Sequence, residues 1–182
     1  LKDVPAEKRV YGTPEAGLRP QFISPINCRN VLLEGFEIAG PGPFWTIHIV
    51  YCENVLVRGL TLYTVGGPNT DGINLDSTRN ALIEACDINA GDDAIALKSG
   101  INEEGRRIGR PTENVVIRNI RAGQTHGGMV IGSDMSGGVR NVYGHSCEFT
   151  GSLIGIRLKS NASRGGVVEN CLFENIRMAD IG

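Results

Sequence analysis

Three aspartates and one histidine stand in short glycine-containing segments whose residue types are suited to acid–base chemistry. The segments read Asn69-Thr70-Asp71-Gly72, Gly91-Asp92-Asp93 and His126-Gly127. Carboxylates that lie close together cannot all ionise freely, so one of them keeps its proton near neutral pH. A protonated carboxyl group beside an ionised one is the pair that cleavage of a glycosidic bond requires. Each segment alone is equally typical of a turn, because Asp and Gly are common turn formers.

Two cations in a later segment extend this set. Arg157 and Lys159 alternate with apolar residues in Ile156-Arg157-Leu158-Lys159-Ser160, so both leave the same face of a strand. The chain holds 18 Lys and Arg against 20 Asp and Glu, a net charge of -2, so this positive site is local. It suits a carboxylate on the substrate. We therefore expect an anionic polysaccharide lying along a groove.

The elements that must position these residues are short strands of one type. Apolar residues alternate with polar ones in five segments, which is the period of a half-buried strand. The segments are Ile47-His-Ile, Ile73-Asn-Leu-Asp-Ser, Ile95-Ala-Leu-Lys-Ser, Met129-Val-Ile-Gly-Ser and Ile156-Arg-Leu-Lys-Ser. Stacked in register about 4.8 Å apart, they place Asp71 one rung from Asp93 on the solvent face. Asp92 leaves the backbone on the other side, with His126 one rung beyond it.

A second segment type interleaves with the first and repeats along the chain. Its copies start at Asn30, Asn54, Asn80, Asn114 and Asn141, with a weaker sixth copy from Gly165. Apolar residues recur six and eight positions after each start, which assigns Cys147 and Cys171 to one inward column. Units of about 25 residues that contain only strands bury their apolar faces by stacking. The sequence predicts an all-β fold, a right-handed parallel β-helix without helices.

Composition limits the remaining classes. The chain has 182 residues, is 41% hydrophobic and contains 25 Gly without the period of collagen, which indicates a folded domain. No basic field favours nucleic acid and no apolar run is long enough for a membrane span. We expect a monomer, and residues 1–182 as one β-helix domain that lacks N- and C-terminal coils. The five cysteines are expected to be reduced, although Cys28 with Cys52 and Cys147 with Cys171 stack closely enough for disulfides.

The four motifs together resemble those of glycoside hydrolase family 28, the polygalacturonases, from about Phe44 to Lys159. The segment Pro43-Phe-Trp-Thr-Ile-His also looks like a family segment, although Trp45 could equally pack at a corner or stack on a sugar. The resemblance implies a β-helix enzyme that hydrolyses α-1,4-galacturonosyl bonds of pectin with inversion, without metal or cofactor, in a secreted or periplasmic setting. Gly91, where the family often has Gln, and Leu158, where it has Ile, are mild departures.

The resemblance also implies a role for each site residue. Asp92 protonates the leaving oxygen, while Asp71 and Asp93 activate the water from the opposite face. His126 tunes the acid. The remaining positions bind the galacturonate, and these are Asn69, Arg157 and Lys159.

One unit is about ten residues longer than its neighbours, and the excess lies at 100–111. We expect a loop at the rim of the groove, either as a tolerated surface insertion or as a wall that closes one end. The second interpretation brings Arg106, Arg107 or Arg110 near the acidic sugar and favours exo-acting cleavage, because such a loop resembles bacterial exo-acting members.

Three alternatives remain open. A hydrolase of the same family that acts on rhamnogalacturonan or xylogalacturonan would use the same aspartates. A polysaccharide lyase on a similar solenoid would require calcium and a basic proton abstractor. A non-catalytic β-helix adhesin would place no demand on Asp92.

Overall fold

Fifteen strands and one short helix make up the part of the chain that the computed structural model describes, which is residues 5, 8, 19–40, 42 and 44–182. Their bounds, in chain order, are β1 Arg29–Glu34, β2 Glu37–Ala39, β3 Ile47–Val50, β4 Glu53–Arg58, β5 Thr61–Thr64, β6 Ile73–Asp76, β7 Arg79–Glu84, β8 Asp87–Ala90, β9 Ile95–Lys98, α1 Asn102–Ile108, β10 Thr112–Arg118, β11 Arg121–Gly123, β12 Gly127–Gly132, β13 Val139–Thr150, β14 Ile154–Lys159 and β15 Val168–Ala179.

Every strand pairs in parallel with strands of the neighbouring coils. One sheet has the order β14-β12-β9-β6-β3. The other has the order β1-β4-β7-β10-β13-β11-β8-β5-β2, with β15 on β13. Parallel crossovers of this kind are right-handed in nearly all proteins. The predicted parallel β-helix is confirmed for the described residues; the expected domain also includes residues 1–18, most of which lie outside them.

The first sheet has the register that the alternating segments predict. Ile73 pairs with Ile95, and Ile95 pairs with Met129. These three side chains are buried in the solenoid core, as are their neighbours two positions later, Leu75 and Leu97. The side chains between them point to the opposite face of the sheet, which is where the candidate site lies.

The asparagine that starts each unit has a defined conformational role. Asn30, Asn54, Asn80, Asn114, Asn141 and Asn170 all have φ between 53° and 57°. This left-handed region is accessible to Asn at lower cost than to most residues with a Cβ. Each carboxamide after the first donates to the one below it, at 3.0–3.3 Å. The turn and the stacked amides explain why the same residue recurs.

The start predicted for the sixth unit is wrong. Asn170 stacks on Asn141, so the unit begins five residues later than Gly165. In this register Cys147 pairs with Ile176, and Cys171 pairs with Val142. The two cysteines therefore occupy different columns, because the weak copy was aligned on its apolar residues instead of on its asparagine.

All five cysteines are free thiols. Cys28 and Cys52 do lie in adjacent coils, where the Cys28 backbone N–H donates to the Cys52 sulfur at 3.4 Å. The expected reduced state agrees with this arrangement.

A seven-residue helix, α1, corrects the expectation of an all-strand chain and of a loop over 100–111. Glu103 and Glu104 lie in its first turn, and Arg106 and Arg107 lie in its last turn. This distribution complements the helix dipole. Gly109 closes the helix in a left-handed conformation at φ 61°, and its N–H donates to the Gly105 carbonyl at 2.9 Å. Among the described residues, no helix is long and apolar enough to cross a membrane.

Charges of alternating sign run along the outer face of the other sheet. The column reads Arg29, Glu53, Arg79, Glu113, Arg140 and Glu169, one residue from each coil. Glu53 contacts the arginines on both sides, Arg29 at 3.5 Å and Arg79 at 2.9 Å. We call this column the charge ladder.

Candidate active site

The turn before β9 is hydrogen-bonded to the turn before β6. The Thr70 hydroxyl donates to the Gly67 carbonyl at 2.8 Å and accepts from the Gly91 N–H at 3.1 Å. A Cβ on Gly91 would collide with both the Thr70 hydroxyl and the Gly67 carbonyl. Gly at position 91 is therefore required by this close approach, which accounts for the departure from the Gln of the related motif.

Backbone pairing brings the three aspartates and His126 onto neighbouring rungs. The N–H of Gly72, next to Asp71, donates to the Asp93 carbonyl at 2.9 Å. The His126 N–H donates to the Asp92 carbonyl, also at 2.9 Å. The structure thus assembles the four residues as the strand register predicts, while their roles remain predictions.

Asp92 and His126 form the part of the cluster that solvent reaches. His126 Nδ1 lies 3.4 Å from Asp92 Oδ1 and 3.7 Å from Asp93 Oδ1. The Asn69 amide donates to Asp92 Oδ2 at 3.5 Å from a left-handed position, φ 59°. The Asp92 side chain is 23% exposed and that of His126 is 40% exposed. Asp92 is therefore the carboxylate of the three that a polymer can contact first.

Asp93 is buried against a cation. Lys159 Nζ donates to Asp93 Oδ2 at 2.8 Å, and the carboxylate is 1% exposed. Its second oxygen, Oδ1, is buried without a hydrogen-bond partner among the described residues. Gly127 lies on the next rung, where a Cβ would stand 2.8 Å from that oxygen. The Gly after His126 therefore makes room for the Asp93 carboxylate.

Asp71 is also buried, with a 3% exposed side chain, and Lys98 Nζ lies 3.7 Å from its Oδ2. Burial, with smaller contributions from Asp92 and Asp93, raises the pKa of Asp71 to about 7 although Lys98 opposes the rise. The predicted rise in the pKa of one carboxyl group thus falls on Asp71, which near neutral pH is divided between its protonated and ionised forms. The prediction that all three lie on an exposed strip is wrong for Asp71 and Asp93, because lysines and neighbouring side chains cover both.

Arg157 stands on β14 beside Val130 of the preceding rung and is half-buried. It makes no ion pair with an acid of the described chain. Its guanidinium is thus available to an external anion, whereas Lys159 is shared with Asp93. Leu158, between them, is exposed at the last rung of this sheet.

Lys98 is the functional candidate that the sequence interpretation missed. It is 4% exposed, and its ammonium lies 4.4 Å from the centre of the Trp45 ring. Trp45 in turn stacks on Phe44 at 4.8 Å. The signal was present, because Lys98 occupies the same outward position in Ile95-Ala-Leu-Lys that Lys159 occupies in Ile156-Arg-Leu-Lys.

Helix α1 follows the carboxyl end of β9, and its segment contacts the turns after β12 and β14. The Arg106 guanidinium donates to the carbonyls of Ser163 and Arg164, at 2.7 Å and 2.8 Å. Arg107 pairs with Glu104, and Arg110 lies over the Tyr51 ring at 4.8 Å. The three arginines expected near the acidic sugar thus have protein partners. Pro43 of the related Pro-Phe-Trp segment lies outside the described residues.

The donor atoms of Asp92, Asp93 and His126 lie within 4.8 Å of one another, close enough for a metal ion. Lys159 already neutralises Asp93 at 2.8 Å, so a divalent cation there would lie next to an ammonium group. The residues present therefore fit a metal poorly.

Fold and cluster together define the class of parallel β-helix proteins with a carboxylate-rich outer face. The family model of glycosyl hydrolases family 28 matches residues 10–182, and the chain belongs to this family. A probable polygalacturonase of Vitis vinifera is 35% identical over 94% of this chain and 35% of its own length. The chain thus spans about a third of the length of this relative.

Two solved structures share the solenoid. A hyperthermoactive exopolygalacturonase from Thermotoga maritima is 41% identical, with a TM-score of 0.83 over 98% of this chain and 42% of that one. A family 28 exopolygalacturonase from Yersinia enterocolitica is 27% identical, with a TM-score of 0.80 over 85% of this chain and 27% of that one.

Proposed function

We propose that the protein hydrolyses α-1,4-galacturonosyl bonds of polygalacturonate with inversion of the anomeric carbon. The observation that carries this proposal is the arrangement of one accessible and two buried carboxylates beside Lys159 and the unpaired Arg157. Family membership and the polygalacturonase relatives support it. No specific contact among the described residues favours rhamnogalacturonan or xylogalacturonan as the substrate. None favours a lyase or an adhesin either.

Asp92 is the general acid in this mechanism. It lies at the surface of the cluster, where it can donate its proton to the glycosidic oxygen as the bond to the anomeric carbon breaks. His126 Nδ1, 3.4 Å from Asp92 Oδ1, contacts this carboxyl group and helps to orient it. Asn69 contacts the other oxygen of Asp92 and holds the carboxyl group toward the groove.

Asp71 and Asp93 are the bases that activate the water. The water attacks the anomeric carbon from the face opposite Asp92, and its proton passes to a carboxylate. Asp93 Oδ1 is buried and has no hydrogen-bond partner among the described residues, which suits a water molecule. The galacturonate carboxylate binds Arg157, with Lys159 as the second cation, by charge-assisted hydrogen bonds.

We further propose exo-acting cleavage outside the cytoplasm by a monomer. Two of the similar solved structures are exopolygalacturonases, and residues 100–111, which include helix α1, are the insertion that the family resemblance associates with exo action. A pectic polymer is too large to enter a cell, so the substrate implies secretion or a periplasmic location.

Product analysis tests the proposal. The full-length protein is incubated with polygalacturonate and, separately, with rhamnogalacturonan, and the products are followed by chromatography and by ¹H NMR of the new reducing ends. We expect monogalacturonate from the first time points, released as the β-anomer. Early long oligomers would contradict exo action, unsaturated products would indicate a lyase, and no release from either polymer would contradict a hydrolase.

A further inference from the structure

We propose that Lys98 is a positioning residue for the base Asp71: held between the Trp45 ring and the Asp71 carboxylate, it favours the ionised form of that carboxylate and fixes it in place. This inference rests on the proposed hydrolase and concerns a residue outside the four motifs. The Lys98 side chain is buried, so in this proposal it affects the reaction only through Asp71.

The contacts of Lys98 form a closed environment around its ammonium group. Nζ lies 3.7 Å from Asp71 Oδ2 and 4.4 Å from the centre of the Trp45 ring. The side chains of Lys98 and Asp71 are 5% and 3% exposed. A buried ammonium is stable only with a partner that offsets its lost hydration. Asp71 and the ring face supply such partners.

Neighbouring side chains fix the ring that holds Lys98. Phe44 stacks on Trp45 at 4.8 Å, and His48 meets its edge at 4.7 Å. His48 is itself paired through Nε2 with Asp76 at 3.3 Å. Asp76 stands opposite Lys98 in the pairing of β6 with β9. This arrangement is thus built from three successive coils, which is the kind of support that a preorganised site requires.

The two buried carboxylates of the site have equivalent partners. Lys98 Nζ lies 3.7 Å from Asp71 Oδ2, and Lys159 Nζ lies 2.8 Å from Asp93 Oδ2. Both lysines stand three positions after the first core residue of their strands, Ile95 and Ile156. Each of the two proposed bases, Asp71 and Asp93, is therefore paired with one lysine, whereas Asp92 is not paired with a lysine of the described chain.

Lys98 limits how far the pKa of Asp71 rises. Burial is the largest cause that raises this pKa, and Asp92 and Asp93 add to it. Lys98 is the strongest group that lowers it, followed by Lys159. His48, from the β3 side, faces Asp76 instead. Removal of the Lys98 charge would leave Asp71 with a higher pKa, and so protonated over more of the working range.

The pH profile of kcat/KM separates this role from a structural one. A base must be ionised, so the acidic limb of the profile follows the pKa of Asp71 in the free enzyme. In Lys98→Met this limb should move upward by about one pH unit or more, with about a tenfold loss of kcat/KM below the limb and little loss above it. Lys98→Arg keeps the charge and should restore the limb to within about half a unit of its original position.

Two further variants complete the experiment in the full-length protein. Lys98→Gln retains a hydrogen-bond donor without charge and is the substitute if Lys98→Met does not fold; its limb should also move upward. Arg79→Met removes a cation from the charge ladder on the far sheet and should leave the limb in place. A limb that stays put in Lys98→Gln overturns the proposal, as does an equal fall in rate at every pH. If the unaltered protein releases no galacturonate, the proposed function itself has failed.

Discussion

Lys159 reaches Asp93 across two rungs of the solenoid, with Nζ donating to Oδ2 at 2.8 Å although 66 residues separate them in the chain. Strand β12 lies between β14, which carries Lys159, and β9, which follows Asp93, and Gly127 of β12 leaves the space that the Asp93 carboxylate occupies. The contact gives Lys159 a task within the protein in addition to any contact with substrate. Arg157 has no such task, so the two cations should behave differently when they are removed.

Arg157→Gln should weaken substrate binding more than turnover. Loss of a hydrogen bond to a charged group costs about 1.5–3 kcal/mol, so KM should rise about tenfold or more, with a smaller change in kcat. Lys159→Met should instead lower kcat strongly, because it leaves Asp93 buried without a cation. Steady-state kinetics on polygalacturonate distinguish the two, and equal effects of both variants on kcat would contradict the division of roles.

Asp92→Asn should nearly abolish hydrolysis. A general acid contributes about 10²–10⁴-fold to a rate, and the amide cannot donate a proton to the leaving oxygen. The measurement is reducing-sugar release from polygalacturonate, with Asp87→Asn on the opposite sheet as the matched control. An Asp92→Asn protein that retains wild-type release would favour the adhesin.

Asp71 should make stability depend on pH. Its pKa is raised from 3.8 to about 7 in the folded protein, so between these values the folded state holds a proton that the unfolded state has lost. Stability therefore falls as pH rises through this window, by on the order of 4 kcal/mol at about 1.4 kcal/mol per unit. Asp71→Asn should remove this slope.

Thermal melts at several pH values check the sign. The Tm of Asp71→Asn minus that of the unaltered protein should increase steadily from about pH 4 to about pH 7 and then level off. A difference that is constant with pH would show that Asp71 has the same pKa in the folded and unfolded states, and one that decreases would show that folding lowers its pKa.

Gly91→Ala should impair the site by displacing the turn that carries Asp92 and Asp93. Its Cβ would meet the Thr70 hydroxyl and the Gly67 carbonyl, which cannot both move without opening the two turns. We expect a large loss of activity together with a lower Tm. Gly42→Ala is the control, because its Cβ would meet nothing closer than 3.4 Å. Unchanged activity in Gly91→Ala would mean that the turn adapts freely.

Glu53→Lys should destabilise the solenoid, because it places three cations in succession in the charge ladder, with Arg29 and Arg79 on either side. Its Tm should fall further than that of Glu37→Lys, whose partner in the next coil is the neutral Thr61. Added salt should narrow the gap, since exposed charges are screened. A gap that is insensitive to salt would indicate a different cause.

Stacked strands could be predicted from sequence because a period of two and a repeated start leave few alternatives. The same register predicts that Asp71 lies beside Asp93. Burial of these two acids could not be predicted in this way, because Lys98 and Lys159 cover them from positions that resemble ordinary solvent-facing sites on a strand. The alternation of apolar and polar residues specifies on which face of the sheet a side chain lies. It does not specify which other side chains cover it.

The errors at Gly165 and at helix α1 have a shared origin. Apolar spacing predicts a start at Gly165 for the sixth unit, whereas the left-handed Asn170 determines where that turn begins. Apolar spacing also gave no sign of α1, whose Gly105 is its only buried residue and whose ends are stabilised by charge. Elements held by turn conformation or by electrostatics escape an analysis based on hydrophobic periodicity.

Coils with the same apolar columns and the same asparagines could stack in the wrong order during folding, because each coil offers similar contacts to any other. The charge ladder differs from both, because its pattern repeats only every second coil. Omission of one coil would bring two arginines, or two glutamates, together at the point of the omission. The charge ladder thus gives neighbouring coils opposite charges, and this alternation disfavours a fold in which one coil is skipped.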